Sequence, residues 1–536
     1  MSNNKRPLTE SELQNEIDNL SDSEESVDDD QNDPDFTSEG SSETSYGTDE
    51  SEQESDVEDS DNRNDSQEDV DLIWFKEVLN ISRLPFTGQR GLQKDIPYNG
   101  EQISPVDVYK SIVTQDVLDL MVMETNRYAG QLLNTRRISR TSRFSRWKNT
   151  NSVEMELFLG LLMLMGILQF PKIECYWKKD KIYYHPLFHE VPISYNRFVL
   201  LLKCWHFANN ENADESRVFK IKPLHDMIIQ NIQSLYRPGE TIVVDETMVP
   251  CRGRLSFRQY NPSKASRYGI KLYKVCTPEG FTWNLSVYDG KSEKLGDLDI
   301  PRSTVINLTQ DLLNEGRLII TDNYYTSIGL AKHLYQQNTN LIGTVRKNRK
   351  GLDNSTLEAK LQKGEIRSVQ QQYMTFMKWR DLRDVLMIST CFGDGSVETG
   401  KDRRGNTKTK PKIIVEYKKR KQGVDISDQL SSYYTSLRKS LVWYKKIAIE
   451  ILCSTTVVNS HILYQTIVEK NMSLLQFTES VIGALVPSEN NSPEAAVNIK
   501  RLKRHSNHKL ADNVDQTGKI LRKSCHGCYM NLKKAV

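Results

Sequence analysis

The 536-residue chain is poor in cysteine: it has eight, mostly isolated, too scattered for the disulfide framework of a small secreted domain. No charged-then-apolar leader opens it. Long hydrophobic runs are missing too. The longest, Leu157 to Leu168, has twelve residues, against roughly 20 for one bilayer crossing. These absences argue against secreted, transmembrane and collagen-like classes, and the expectation is reduced thiols in cytosol or nucleus. Residues 1–72 lack almost everything a core needs: Phe36 and Tyr46 are their only aromatics. Such a segment cannot offset its ordering entropy by burial and is expected to be a disordered acidic tail. Runs such as Ser21-Asp22-Ser23-Glu24-Glu25 suit an acid-directed kinase, and equally a passive solubilising tail.

What is present is a hidden division of charge. Lys plus Arg is 72 and Asp plus Glu is 71. Residues 1–72 hold 26 acidic side chains and three basic ones, which leaves 69 basic and 45 acidic residues behind them, a body of +24 after a tail of −23. A cationic body of this size attracts polyanions.

At roughly 150 residues per domain the length suggests about three units. The pattern from about 105 to 240 is mainly helical, with Val108 to Tyr128 and Glu154 to Leu168 the clearest segments. The second is apolar nearly all round, as a helix buried on every side is. From Thr241 short β-branched runs take over: Ile242-Val243-Val244, Tyr268 to Val275, Thr282 to Val287, Arg317 to Thr321 and Leu341 to Val345, with a helical stretch near Val305 to Asn314 among them. Residues 349–410 are expected to be an insertion with one strand, Val385 to Thr390. A strand Ile413 to Tyr417 is then expected to return to the α/β unit, before helices from about 425 to 485. The fold class is mixed α/β, expected to divide as 1–72 acidic tail, 73–240 helical, 241–348 α/β, 349–410 insertion, 411–434 α/β, 435–503 helical and 504–536 Cys/His-containing tail.

Three aspartates stand at element ends. Asp245 closes Thr241-Ile242-Val243-Val244-Asp245, Asp322 closes Leu318-Ile319-Ile320-Thr321-Asp322, and Asp425 stands where Gly423-Val424-Asp425-Ile426-Ser427-Asp428-Gln429 opens a helix. A carboxylate after a buried strand projects at the sheet's edge, where a divalent cation with oxygen ligands can reach it, and a metal pair stabilises attacking and leaving oxygens in phosphoryl transfer. Each aspartate also suits a turn, or an N-cap worth typically about 1 kcal/mol. Spacing alone does not decide between these readings.

The flanking residues do. Val244-Asp245-Glu246 with Cys251-Arg252-Gly253-Arg254, Arg258-Gln259-Tyr260-Asn261-Pro262-Ser263-Lys264, Tyr268-Gly269-Ile270-Lys271, Thr321-Asp322-Asn323-Tyr324-Tyr325-Thr326-Ser327 and Gly423-Val424-Asp425 resemble the piggyBac transposase family, as do Phe158-Leu159-Gly160-Leu161, Tyr176-Trp177 and Phe207-Ala208-Asn209-Asn210. The resemblance covers roughly residues 75–510. It implies an RNase H-like catalytic core split by an insertion and wrapped by a largely helical dimerisation and DNA-binding domain, cut-and-paste transposition at TTAA sites, a homodimer, and two Mg²⁺ ions. Matched motif to motif, the catalytic and metal-binding triad is Asp245, Asp322 and Asp425, with Asp428 a supporting metal carboxylate. Asn323 matches a DNA-contacting position, and Trp443, after Arg438-Lys439, matches an aromatic that acts on the transposon-end hairpin.

Further DNA contacts are read from charge. Residues 131–150 hold Arg136, Arg137, Arg140, Arg143, Arg146 and Lys148 with no acidic residue, and Phe144 and Trp147 are interleaved. This suits a phosphate-tracking strip, or a solvated face with two buried aromatics. Arg252, Arg254, Arg258, Lys264, Arg267 and Lys271 follow the first aspartate and are expected to line the groove. Lys418 to Lys421 and Lys500 to Arg504 are candidate nuclear-import signals, so a nuclear location is expected.

Two features depart from the family. Cys525-His526-Gly527-Cys528 supplies one CxxC where four zinc ligands are needed. His505 and His508 complete a set only at a spacing that fits no standard finger, so the tail is expected to be truncated and to bind no zinc alone. Gln422 stands where the family commonly has Gly, and is expected to be strained if the turn needs positive φ. These departures motivate a second reading, a domesticated DNA-binding protein that retains the fold without strand transfer.

Overall fold

Short β-branched segments buried along most of their length build the central sheet. A computed structural model describes residues 73–76, 81–98, 100–135, 142–262, 267–290, 295, 298–401, 407–438, 441–486, 511–514 and 520–524. Contacts divide the chain into two bodies, one made of the residues up to Ile173 with Tyr195–Val486, the other of Glu174–Ser194 with Pro487–Val536.

The first body holds, among the described residues, a nine-stranded sheet. Its strands are β1 (Thr241–Pro250), β2 (Gln259–Tyr260), β3 (Tyr268–Cys276), β4 (Thr282–Val287), β5 (Leu318–Thr321), β6 (Asn340–Thr344), β7 (Ile366–Gln371), β8 (Met374–Arg380) and β9 (Asp384–Ser389). The order is β2-β3-β1-β5-β6-β9-β8-β7, and β4 pairs with β3. Central strands β1, β5 and β6 run parallel, with Val244 opposite Thr321 and Thr321 opposite Gly343. β3 lies antiparallel on the far side of β1, setting Lys274 directly opposite Asp245.

One face of this sheet buries Val243, Leu318, Ile320, Ile342, Met377 and Met387 against Ile413, Ile414, Tyr417 and Val424. The segment expected to return as a strand is instead a helix, Lys412–Arg420. Ile413, Ile414 and Tyr417 fall on one helical face with spacing i, i+1 and i+4, and Lys418, Lys419 and Arg420 occupy the last turn, where cations favour the helix dipole. Packing of that face overrides the β preference of the Ile-Ile-Val run. From residue 349 to 411 five strands form among the described residues, not one: β7, β8 and β9 enter the large sheet, β9 joining β6 through Gly343 opposite Ile388, and Ser396–Lys401 pairs with Thr407–Pro411 as a separate hairpin.

Helices supply most of the remainder of the first body, together with two short two-stranded pairings, Gly91–Leu92 with Tyr236–Arg237 and Ser396–Lys401 with Thr407–Pro411. The expected helix Val108 to Tyr128 is two, Pro105–Ile112 and Gln115–Thr135, with Val113 capping the first. Ser152–Ile167 is apolar all round as expected and buried from Met155 to Gly166, apart from Glu156. Its glycines permit close approach: a methyl at Gly160 would meet Leu485 and Val486, and one at Gly166 the Tyr434 carbonyl. The helical run Trp443–Val468 is 26 residues long and apolar enough to cross a membrane by length and composition, yet 94% of its most apolar window is buried within the protein. Its apolarity serves the core. Asn459 within it donates to the Thr282 carbonyl at 2.7 Å and accepts from the Thr282 amide at 2.8 Å, stitching helix to sheet.

In the second body, Tyr176 and Trp177 pack on Phe188 with ring centroids 4.8 and 5.4 Å apart. Trp177 Nε1 donates to the Ile193 carbonyl. A separate two-stranded hairpin pairs Ala511–Val514 with Ile520–Ser524.

Candidate active site and nucleic-acid interface

Period-two alternation sets the first two carboxylates on one face. Val243 on β1 and Ile320 on β5 face the helical layer, and side chains two residues apart share a face. Asp245 and Asp322 therefore continue the same two rows on neighbouring parallel strands, one residue beyond the Val244–Thr321 pair. Thr247, next in the Asp245 row, confirms the direction: its hydroxyl donates to Asp428 at 2.7 Å.

The third carboxylate arrives on the helix Gly423–Tyr433, with Asp425 in its first turn. Gly423 makes this possible. A methyl there would collide with the Thr277 carbonyl oxygen and press on Val243, so the helix start lies directly on β1 and β3. Gln422 before it has φ −81° and ψ 4°, ordinary backbone for any residue. The strain expected at Gln422 is absent, because the glycine requirement at 423 is close approach and not positive φ.

Tyr417, on the helix Lys412–Arg420, packs on the same face of the sheet as Val243 and Ile320. Burial pushes its phenol up to about 12 despite a hydrogen bond to Thr344, and the negative charges of Asp322, Asp245 and Asp425 add to the rise. One hydroxyl thus lies in the field of all three. Asp322 is itself raised, by burial first and then by the Glu246 carboxylate, while the Tyr324 and Tyr325 amides pull the other way. Its Oδ1 accepts from the Tyr324 amide at 2.9 Å. Glu246 sits on the opposite face of β1 and accepts from the Tyr325 hydroxyl at 3.2 Å. A cluster of oxygen donors with excess negative charge suits a hard divalent cation in kind. Among the described residues, no group of three or more His, Cys, Asp or Glu side chains is arranged so that it could hold a metal ion. Asp425, the exposed member, leaves the cluster open toward solvent.

Asp428 has protein partners of its own. One of its oxygens is engaged by Thr247 and by Lys274 Nζ at 3.0 Å, which makes it a partner of a buried cation. Asn323 is exposed and its Oδ1 accepts from Arg346 Nε at 3.3 Å. Trp443 is buried, edge-on to Phe257 at 5.3 Å, with no hydrogen-bond partner for Nε1 among the described residues. It is covered here and presents no face to a ligand. Arg438 donates to the Phe170 carbonyl through both terminal nitrogens. Arg252 and Arg254 are exposed, Lys271 is half-buried over the rings of Tyr273 and Tyr324, and Arg258 stacks on Tyr268. In the basic strip Arg143, Arg146 and Lys148 are exposed, while Phe144 is buried with Ala129, Leu200 and Cys204. Trp147 lies under Arg197 at 4.7 Å. Phe144 is core, Trp147 is half-buried against it and the three cations face water. Arg136, Arg137, Arg140, Lys264, Lys439, Cys525 and Cys528 lie outside the described residues, as do His505, His508 and the run Lys500 to Arg504.

Sequence reasoning missed Tyr417, assigned to a strand, and Lys274, a lysine between buried Tyr273 and Val275. A cation within an otherwise apolar central strand was the available signal for Lys274.

The family model described as Transposase IS4 matches residues 104–461, about two thirds of the chain. The chain belongs to the piggyBac transposase family. Curated relatives of the piggyBac family include PiggyBac transposable element-derived protein 2 of Homo sapiens, 25% identical over 392 residues, covering 69% of this chain and 63% of the relative. PiggyBac transposable element-derived protein 3 of Homo sapiens is 25% identical over 451 residues, covering 80% and 72%. The chain thus spans less than two thirds of the first relative's length. A cryo-EM structure of a piggyBac transposase synaptic complex with hairpin DNA matches with TM-score 0.63 and 22% identity over 81% of this chain and 90% of that one. At that identity the likeness establishes the fold.

Proposed function

We propose that this chain is a cut-and-paste DNA transposase whose phosphoryl-transfer site is Asp245, Asp322 and Asp425. The observation that carries the reading is that Asp245 and Asp322 fall on one face of neighbouring parallel strands while Gly423 seats the first turn of the Asp425 helix against Val243 of β1, and the charges of all three act on the Tyr417 hydroxyl. The strand order, with parallel β1, β5 and β6 flanked by antiparallel β3 and β4, supports an RNase H-like core, extended by the strands of 349–410 and divided as the sequence suggests. A divalent cation held by these carboxylates, Mg²⁺ in the first instance, would activate a water or a 3′-hydroxyl and stabilise the leaving oxygen.

The chain's own residues do the rest. Asp245 and Asp322 are fixed by the sheet, so their spacing is set before substrate arrives, and Gly423 seats the helix that brings Asp425 alongside. Arg252, Arg254 and Lys271 neutralise phosphates as DNA enters, and Asn323 lies at the rim. Arg143, Arg146 and Lys148 extend the polyanion track. The partner is double-stranded DNA, with transposon ends and a TTAA target, and the working form is a homodimer in the nucleus. The single CxxC leaves zinc out of the reading.

Magnesium-dependent nicking of a TTAA-flanked end is expected for the wild type and no nicking for Asp322→Ala. Equal cleavage by both would refute the assignment. The lack, among the described residues, of a three-residue group arranged to hold a metal ion, together with buried Trp443, favours one competing reading, a domesticated protein that binds DNA without strand transfer. Excision of a transposon by the full chain would exclude it.

A further inference from the structure

Lys274 is wholly buried in the sheet, directly opposite Asp245. Its ammonium lies 3.0 Å from Asp428 on the helix Gly423–Tyr433 and 4.0 Å from Glu450. Glu450 is buried and opens a π-helical turn, Glu450–Thr455, inside the long apolar run. Turns of this kind are rare and concentrate at functional positions. Burial works to depress Lys274, and the two carboxylates more than offset it, so the lysine stays charged. Asp428, at 3.0 Å against 4.0 Å for Glu450, is the nearer counter-charge, and burial raises Glu450.

The same helix is tied to the sheet on either side of Asp425. Gly423 abuts Thr277 and Val243, Ile426 and Ser427 abut Gly280, and the Ser427 hydroxyl meets the Thr282 hydroxyl at 3.0 Å. Asp428 completes the seam, receiving Thr247 and Lys274 on one oxygen. Asp425 projects from this clamped turn toward solvent.

We propose that Lys274 is a positioning residue and Asp428 its anchor, so that this buried pair, and not metal ligation by Asp428, holds Asp425 in register with Asp245 and Asp322. The inference rests on the triad reading above. Removing one member of a buried ion pair strands the other, whereas replacing both is often nearly neutral. That asymmetry separates an anchor from a ligand.

The experiment uses the full chain, Mn²⁺ calorimetry as the metal probe, and hydrogen exchange of residues 423–433. Lys274→Met is expected to weaken Mn²⁺ binding about tenfold, as outer-shell changes do, and to speed exchange in the helix. Lys274→Met with Asp428→Asn keeps the acceptor for Thr247 and removes both charges, and is expected to return to within about twofold of wild type. Were Asp428 a ligand, the double variant would bind Mn²⁺ no better than Lys274→Met, and the proposal falls. It falls equally if Lys274→Met changes neither readout. Should Lys274→Met fail to fold, Asp428→Asn alone decides through exchange in the metal-free chain: faster exchange across residues 423–433 supports the anchor, and unchanged exchange overturns it whatever the Mn²⁺ affinity. If the wild type takes up no Mn²⁺, the functional reading fails while the exchange rates still decide whether the pair clamps the helix.

Discussion

A single buried histidine shows how directly environment sets behaviour in this chain. His461 donates from Nε2 to the Met472 carbonyl at 2.7 Å, and its Nδ1 has no partner among the described residues. Burial lowers its pKa below the ordinary 6.5, so the folded protein holds the neutral ring. The unfolded chain binds a proton as pH falls below about 6.5, before the folded ring does, and stability therefore drops with acidification in that window. The contribution is complete above about 6.5 and is lost as pH falls toward the depressed folded value. Thermal unfolding at pH 7.5 and 5.5 is expected to show a larger drop for wild type than for His461→Gln. Equal drops would place the proton uptake elsewhere. Asp245 and Asp322 were legible at this same scale, because each follows a short apolar run within a recognisable motif; Asp322 does follow a strand end, whereas Asp245, expected to close its strand, lies midway along Thr241–Pro250, which runs on because it pairs with β3. Asp428 was not. Its motif suggested a metal ligand, and only the tertiary contact with Lys274 gave it a different partner.

At the scale of elements, the helix that carries Asp425 depends on one absent side chain. Gly423→Ala would force a methyl into the Thr277 carbonyl, and overpacking of this sort costs about 1–3 kcal/mol. Urea unfolding is expected to show that loss, accompanied by weaker divalent-cation binding. An unchanged midpoint would mean that the helix start can back away from β1. Element type was legible where the hydrophobic period was long and consistent, as in Ser152–Ile167 and the core strands. It failed at Lys412–Arg420, where Ile413, Ile414 and Val415 carry β-branched side chains but the positions buried against the sheet, 413, 414 and 417, have helical spacing. Nine residues gave too short a window for the period to outweigh composition.

The whole molecule is a strongly cationic body behind an acidic tail, and its polyanion binding should be governed by counterion release. Each phosphate contact removed is expected to reduce the slope of log affinity against log salt by about 0.9. Arg143→Gln, Arg146→Gln and Lys148→Gln, combined in the full chain on duplex DNA, are therefore expected to flatten that slope by about 2.7. An unaltered slope would return the strip to an ordinary solvated face. The sequence by itself determined the charge division, the family and the three aspartates, since composition and ordered motifs are local properties that a linear chain displays. Only the tertiary structure decided which groups share a face of the sheet: Tyr417 among three carboxylates, Lys274 opposite Asp245 and bonded to Asp428, Trp443 turned against Phe257. Those meetings join residues as far as 186 positions apart, and they follow from strand register and helix docking, which exist only once the chain has packed.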